Sequence, residues 1–141
     1  MSESQNAALV RRLMEAFEQS DIDAQLEILD PAVELVEWPE GPDQRTYRGH
    51  DGARQAMASW FEAWEWLRNE IEEIVEVGDK VLVCGRTHGK GKGSAVEVAI
   101  DAFNVYTVRE GRVTRIEFFT TREPALRAAG LETSTRGEER T

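Results

Sequence analysis

The chain has 141 residues, 40% of them apolar and only four of them proline, which is one domain's worth of core-forming sequence and excludes a disordered or fibrous class. Its formal charge of -10, from 17 basic and 27 acidic side chains, repels phosphate backbones and anionic lipid headgroups, so neither nucleic acid nor a membrane surface is an expected partner. The single cysteine, Cys84, excludes an internal disulfide, and its place in Val81-Leu82-Val83-Cys84 reads as a small core residue. Met1 to Asn6 is polar, and no run approaches the roughly 18 apolar residues of a membrane span; the expected location is the cytoplasm.

Leu9, Leu13, Ala16 and Phe17 recur at helical spacing and predict a first helix, with Arg12, Glu15 and Glu18 on its wet side. Ser20-Asp21 offers an N-cap for a second short helix carrying Ile22, Leu26 and Leu29, which Asp30-Pro31 stops. Ala32 to Trp38 predicts a short strand, and Pro39-Glu40-Gly41-Pro42 a loop. A third helix is expected after Gly49, with Ala53, Met57, Trp60, Phe61 and Trp64 on its apolar face.

From Asn69 the period changes to that of strands: Ile71–Val77, Lys80–His88, Ala95–Val108 and Arg112–Thr121, with tight turns at Gly78-Asp79 and Glu110-Gly111. Gly89 to Ser94 reads as the longer loop between the two central strands. It lacks the spacing of a phosphate-binding loop, and no helix follows it. Pro124 opens and Gly130 closes a last short helix. The result is an α+β domain over residues 1–132, a curved antiparallel sheet covered by three N-terminal helices, with a disordered tail at 133–141. On the long strand, alternation places Val96, Val98, Ile100, Ala102, Asn104, Tyr106 and Val108 on the helix-covered face. Phe103 and Val105 then form an apolar patch on the convex face, which predicts a homodimer through that face.

The order of these elements, with Ser20-Asp21-Ile22-Asp23-Ala24, Asp30-Pro31-Ala32-Val33, Tyr47-Arg48-Gly49, Val108-Arg109-Glu110-Gly111-Arg112-Val113 and Arg122-Glu123-Pro124-Ala125-Leu126, resembles the nuclear-transport-factor-2-like families, in particular their polyketide-cyclase-like (SnoaL-like) branch. The resemblance spans roughly residues 5 to 132. It implies a cone-shaped fold with an apolar pocket for a small molecule, but no single activity, because the fold hosts isomerases, dehydratases, hydrolases, cyclases and binding proteins.

Ketosteroid isomerases of this fold use a tyrosine on the first helix, a carboxylate base after the first strand and a protonated aspartate on the long strand. The positions fall at Leu13, Glu37 and Asn104; an asparagine amide still donates to an oxyanion, but without the tyrosine half of the hole is missing, and isomerase activity of that kind is not expected. Epoxide hydrolases of the fold use an arginine and two aspartates, whose positions fall at Arg86, His88 and Glu117; two of the three keep their charge sign, and the histidine departs from the pattern by removing one carboxylate. The resemblance thus implies a catalytic trio, with His88 as base near neutral pH, Arg86 as orienting cation and Glu117 as its partner. Against this stands a plain cross-strand ion pair between Arg86 and Glu117, with His88 a solvated residue at the loop's edge. Asn104, Tyr106, Trp38, Trp60 and Trp64 are the expected ligand contacts, although tryptophans at helical spacing first fill a core. The histidines His50 and His88, without a nearby cysteine, give no metal signal, and no cofactor is expected. Two readings remain open: a cofactor-independent acid/base enzyme (hydrolase, isomerase or cyclase) on a small apolar or polycyclic substrate, or a binding module without turnover.

Overall fold

Helix α1 (Gln5–Glu18) begins where Ser4 accepts a hydrogen bond from the Ala7 N–H at 3.1 Å, and it buries Leu9, Val10, Leu13 and Met14. Helix α2 (Ile22–Ile28) is capped in the same way, by the Asp21 carboxylate on the Ala24 N–H at 3.1 Å. Caps of this kind stabilise a helix by about 1 kcal/mol. The computed structural model describes residues 4–37 and 45–131. Trp38, the expected loop at 39–42 and the expected tail at 133–141 lie outside them.

Strand β1 (Leu29–Val36) starts three residues earlier than the sequence suggests. Pro31 lies inside it, at the register irregularity between Leu29 and Glu34, where a missing N–H breaks no ladder bond. Strand β2 (Thr46–Arg48) and helix α3 (Gly49–Ala63) follow. The next element is the main departure from the periodicity reading. Strand β3 (Trp64–Val77) begins at Trp64, five residues before the expected Asn69, so Trp64 is a strand residue and not part of the helix. Strands β4 (Lys80–Gly91), β5 (Glu97–Arg109) and β6 (Arg112–Phe119) and helix α4 (Arg122–Ala128) complete the chain. Gly89, expected in a loop, is buried within β4.

The strands form one curved, unclosed sheet in the order β2-β1-β6-β5-β4-β3, antiparallel throughout except for the parallel β1–β6 pair. Residues directly opposite each other in such a ladder share a face. Asn104 is paired with Val83 and Phe118, and Ile100 with Thr87. One face therefore carries Val81, Val83, Gly85, Thr87 and Gly89 of β4 and meets α1, α2 and α3. That face is concave, and its core includes Leu13, Met57, Val83, Tyr106 and Ile116. Between Ile71 and Glu73 the β3 ladder bulges, and the Glu70 carbonyl comes so close to Gly85 that a Cβ there would sit 1.9 Å from it. Only glycine fits that position.

The convex face holds the second core: Leu82, Cys84, Val105 and Phe119 under Ala125 and Ala129 of the C-terminal segment, with Phe103 and Leu126 packed at its edge. This corrects the expectation of an uncovered apolar patch at Phe103 and Val105. Val105 is fully buried by the chain's own α4, and the warrant for a dimer centred there is gone. Cys84 is buried as expected, and burial raises its thiol pKa against the pull of Arg122. No helix among the described residues is long and apolar enough to cross a membrane.

Candidate functional site

Between the concave face and helices α1 to α3 lies a cavity of about 180 Å³. An apolar cavity of about 150 Å³ is already large enough for benzene. Leu13, Met14 and Phe17 of α1 and Met57 and Trp60 of α3 form one wall, and Ala102, Ile116 and Phe118 of the sheet form another. The Trp60 ring meets Phe17 edge-on at 5.8 Å and Phe118 at 5.5 Å, an aromatic box that favours a flat, apolar guest. Val98 and Ile100 continue the concave stripe past the helices and stay exposed, so the apolar surface runs out to the mouth.

Besides Asp101 and Thr120, polar residues interrupt this lining at three places. The first is the Asn104–Tyr106 pair of β5, adjacent inward positions of one strand, both buried, with the Asn104 amide beside the Tyr106 phenol oxygen. Burial pushes the Tyr106 pKa up to about 12, only partly opposed by the Asn104 hydrogen bond. The phenol is therefore neutral across the physiological range and remains a hydrogen-bond donor. The second is Gln25 of α2, which is almost fully buried; its Nε2 donates to the Asp21 carbonyl at 3.3 Å, and its Oε1 has no partner among the described residues. The third is a cross-strand pair in which the Thr87 hydroxyl donates to Asn69 Oδ1 at 3.0 Å. At the edge of the aromatic box, the Trp60 indole N–H donates to the Glu37 carboxylate at 3.1 Å.

The cavity brings together Asn104, Tyr106, Trp60 and Trp64 of the expected ligand contacts. It does not bring together Arg86, His88 and Glu117. Since Thr87 and Gly89 face inward, Arg86 and His88 must face outward. Arg86 pairs with Asp101 at 3.2 Å across the convex surface, both side chains more than half exposed, and His88 Nε2 donates to Glu70 at 2.8 Å. Glu117 also lies on the convex face, opposite Val105, and its cation is Arg115 at 3.6 Å. The ladder row of Glu117 contains Leu82, four residues along β4 from Arg86, which is roughly 13 Å. The expected Arg86–Glu117 pair is thus out of range. Alignment on the hairpins matches residue types without the register that decides their face.

Gln25, Asn69, Thr87 and Gly89 are lining residues beyond those expected from the sequence. Gln25 carries a signal: it stands three residues after Ile22 and one before Leu26, on the apolar side of its helix. Asn69 and Thr87 carry none, because only the register turns them inward.

Comparison with known proteins agrees with this architecture. Among solved structures, an NTF2-like protein of unknown function from Burkholderia pseudomallei K96243 superposes with a TM-score of 0.75 at 22% identity, over 89% of this chain and 97% of that one. TerC, co-crystallised with polyporic acid, is 25% identical with a TM-score of 0.71, over 84% of this chain and 92% of its own. A protein of ketosteroid isomerase-like fold from Catenulispora acidiphila DSM 44928, in complex with trimethylamine, is 18% identical with a TM-score of 0.71, over 87% and 92%. No protein of curated function is similar enough to match. The SnoaL-like domain model matches residues 10–116, from inside α1 to the middle of β6, so the elements that enclose the cavity fall almost wholly within it. The chain belongs to the SnoaL-like domain family.

Proposed function

We propose that the protein binds a small, flat, largely apolar molecule in this cavity and receives one of its oxygen atoms at the Asn104–Tyr106 pair. The observation that carries the reading is that pair: two neutral hydrogen-bonding groups buried side by side on an apolar wall, facing open space. Burying polar groups costs free energy unless they are partnered, so a surface that keeps two of them in a cavity is suited to an oxygen-bearing guest. The co-crystallisation of TerC with polyporic acid supports an organic ligand. Calorimetric titration with 2-naphthol tests the proposal. Asn104→Leu should weaken binding by about 2- to 12-fold, the equivalent of one hydrogen bond of about 0.5–1.5 kcal/mol. Unchanged affinity in that variant would overturn it.

One observation favours chemistry in addition to binding. Glu37 carries a carboxylate held by the indole of Trp60, a ring that lines the cavity. A carboxylate there takes a proton from the carbon beside a ligand carbonyl, while Asn104 and Tyr106 donate to the enolate oxygen that forms. Tyr106 then stands in for the donor missing at Leu13, and no cofactor enters the step. Proton–deuterium exchange at the acidic carbons of 2-tetralone, followed by NMR, should be accelerated by the protein and not by Glu37→Gln. Equal rates in the two proteins would leave binding alone as the function.

A further inference from the structure

The Asn69–Thr87 pair lies on the same wall as Asn104 but well away from it. In the ladder, Thr87 stands between Asn69 and Ile100, while Asn104 stands between Val83 and Phe118. The two rows are four residues apart along both β4 and β5, about 13 Å along the strands, and Asn104 is one strand across from Thr87 and two from Asn69, so the backbone positions are about 14–16 Å apart. Between them the inward positions are Gly85 and Ala102, small residues with no polar side chain, so the floor there is flat and apolar. The hydrogen bond within the pair runs from Thr87 Oγ1 to Asn69 Oδ1. That leaves the Asn69 amide N–H groups as donors, without a partner among the described residues, and the Thr87 oxygen lone pairs as acceptors.

We infer that Asn69 and Thr87 form a second polar subsite, toward the cavity mouth, and that the ligand is an elongated aromatic molecule with a hydroxyl or carbonyl oxygen at each end. This rests on the reading of Asn104–Tyr106 as the inner oxygen site. Hydrogen bonds of about 2.8 Å at the two ends, and side chains that reach over the curved floor, take up part of that separation and leave roughly 7–10 Å between the ligand oxygens. Oxygens at opposite ends of fused rings meet that spacing; oxygens on neighbouring carbons cannot reach both sites. Gln25 Oε1 is placed on the helical side of the cavity and accepts from a hydroxyl, which favours a hydroxylated inner ring. The Asn69 and Thr87 side chains are themselves neutral, but the Glu18 carboxylate accepts from the Asn69 backbone N–H at 2.6 Å and Asp101 also lines the cavity, so the subsite favours a neutral oxygen over an anionic one.

The test compares three probes by calorimetry: 2-naphthol, with one oxygen; 2,3-dihydroxynaphthalene, with both oxygens at one end; and 2,6-dihydroxynaphthalene, with oxygens at opposite ends. The wild-type protein should bind the 2,6-diol about tenfold more tightly than either of the others. The double variant Asn69→Leu/Thr87→Val, near-isosteric at both positions, should lose that preference while keeping its affinity for 2-naphthol. Equal binding of the two diols by the wild-type protein, or a 2,6-preference that survives in the double variant, would overturn the second subsite and leave the inner one standing. If Asn104→Leu leaves all three affinities unchanged, or if none of the probes binds, the inner site fails and the outer one with it. Thr87→Ser, which restores the hydroxyl, separates loss of the hydrogen bond from loss of packing: it should retain most of the 2,6-preference.

Discussion

Tyr106 links the buried polar pair to a measurable stability. Its pKa is raised by burial to about 12 from an ordinary value of 10.0. The neutral phenol is thus favoured in the folded protein, and the stabilisation is complete below pH ~10, where folded and unfolded chains both hold the proton. As pH rises from about 10 to about 12 the unfolded chain releases its proton first, and stability falls. A difference of two units corresponds to about 2.7 kcal/mol once both forms have titrated, and about half of that, ~1.4 kcal/mol, is lost by pH ~11. Tyr106→Phe has no such proton to lose. At neutral pH the variant should be less stable by about 1–3 kcal/mol, because the Asn104 amide is left without its partner in a buried setting. Urea unfolding of both proteins at a series of pH values from about 8 to about 11 gives the difference directly, and other alkaline titrations cancel in the comparison. The gap between wild type and variant should narrow by about 1.4 kcal/mol over that range. A gap that stays constant would refute the burial of the phenol against Asn104, and with it the geometry of the inner site.

The remaining predictions concern the walls and the convex face. A Cβ at Gly89 would lie 2.7 Å from Leu67 Cδ2 and 3.0 Å from the Trp64 ring; Gly89→Ala should therefore lower Tm by about 3–8 °C and push Trp64 into the mouth, weakening 2,6-dihydroxynaphthalene more than 2-naphthol. His88→Ala and Arg86→Ala remove exposed partners, so each should change stability by less than about 1 kcal/mol and leave 2-naphthol affinity unaltered; a loss of binding in either would contradict their outward placement. Val105→Ala should cost about 2–3 kcal/mol in urea unfolding, about 0.8 for each lost carbon plus a cavity contribution, at any protein concentration. If that cost vanished on dilution, a second copy of the chain, and not α4, would be covering the face.

The local sequence determined the elements and the alternation within β5. Helical spacing of Leu9, Leu13 and Phe17, the Asp21 cap, the Gly78 and Gly111 turns and the regular run from Val96 to Val108 are properties of short stretches, and each formed where its own residues favoured it. That is why alternation along β5 is enough to mark Asn104 and Tyr106 as inward polar residues. Trp64 is not legible as a strand residue, because its spacing from Trp60 and Phe61 also suits one more helical turn, and pairing with Gly91 decides the matter. The same limit explains why the trio of Arg86, His88 and Glu117 does not assemble. Arg86 and His88 share a face by alternation, but which face depends on how β4 registers against β5, and the glycine-rich connection between them leaves that open in sequence. The register Val83–Asn104 and Thr87–Ile100 turned the neutral Thr87 inward and both charged neighbours out. A one-residue slip would have buried Arg86 and His88 in an apolar cavity at the cost of their desolvation. Tertiary packing alone also decided that α4 folds back over Val105, since nothing in a seven-residue helix names the surface it will cover. Local stretches set which residues can share a face; only the packed sheet set which face meets the ligand.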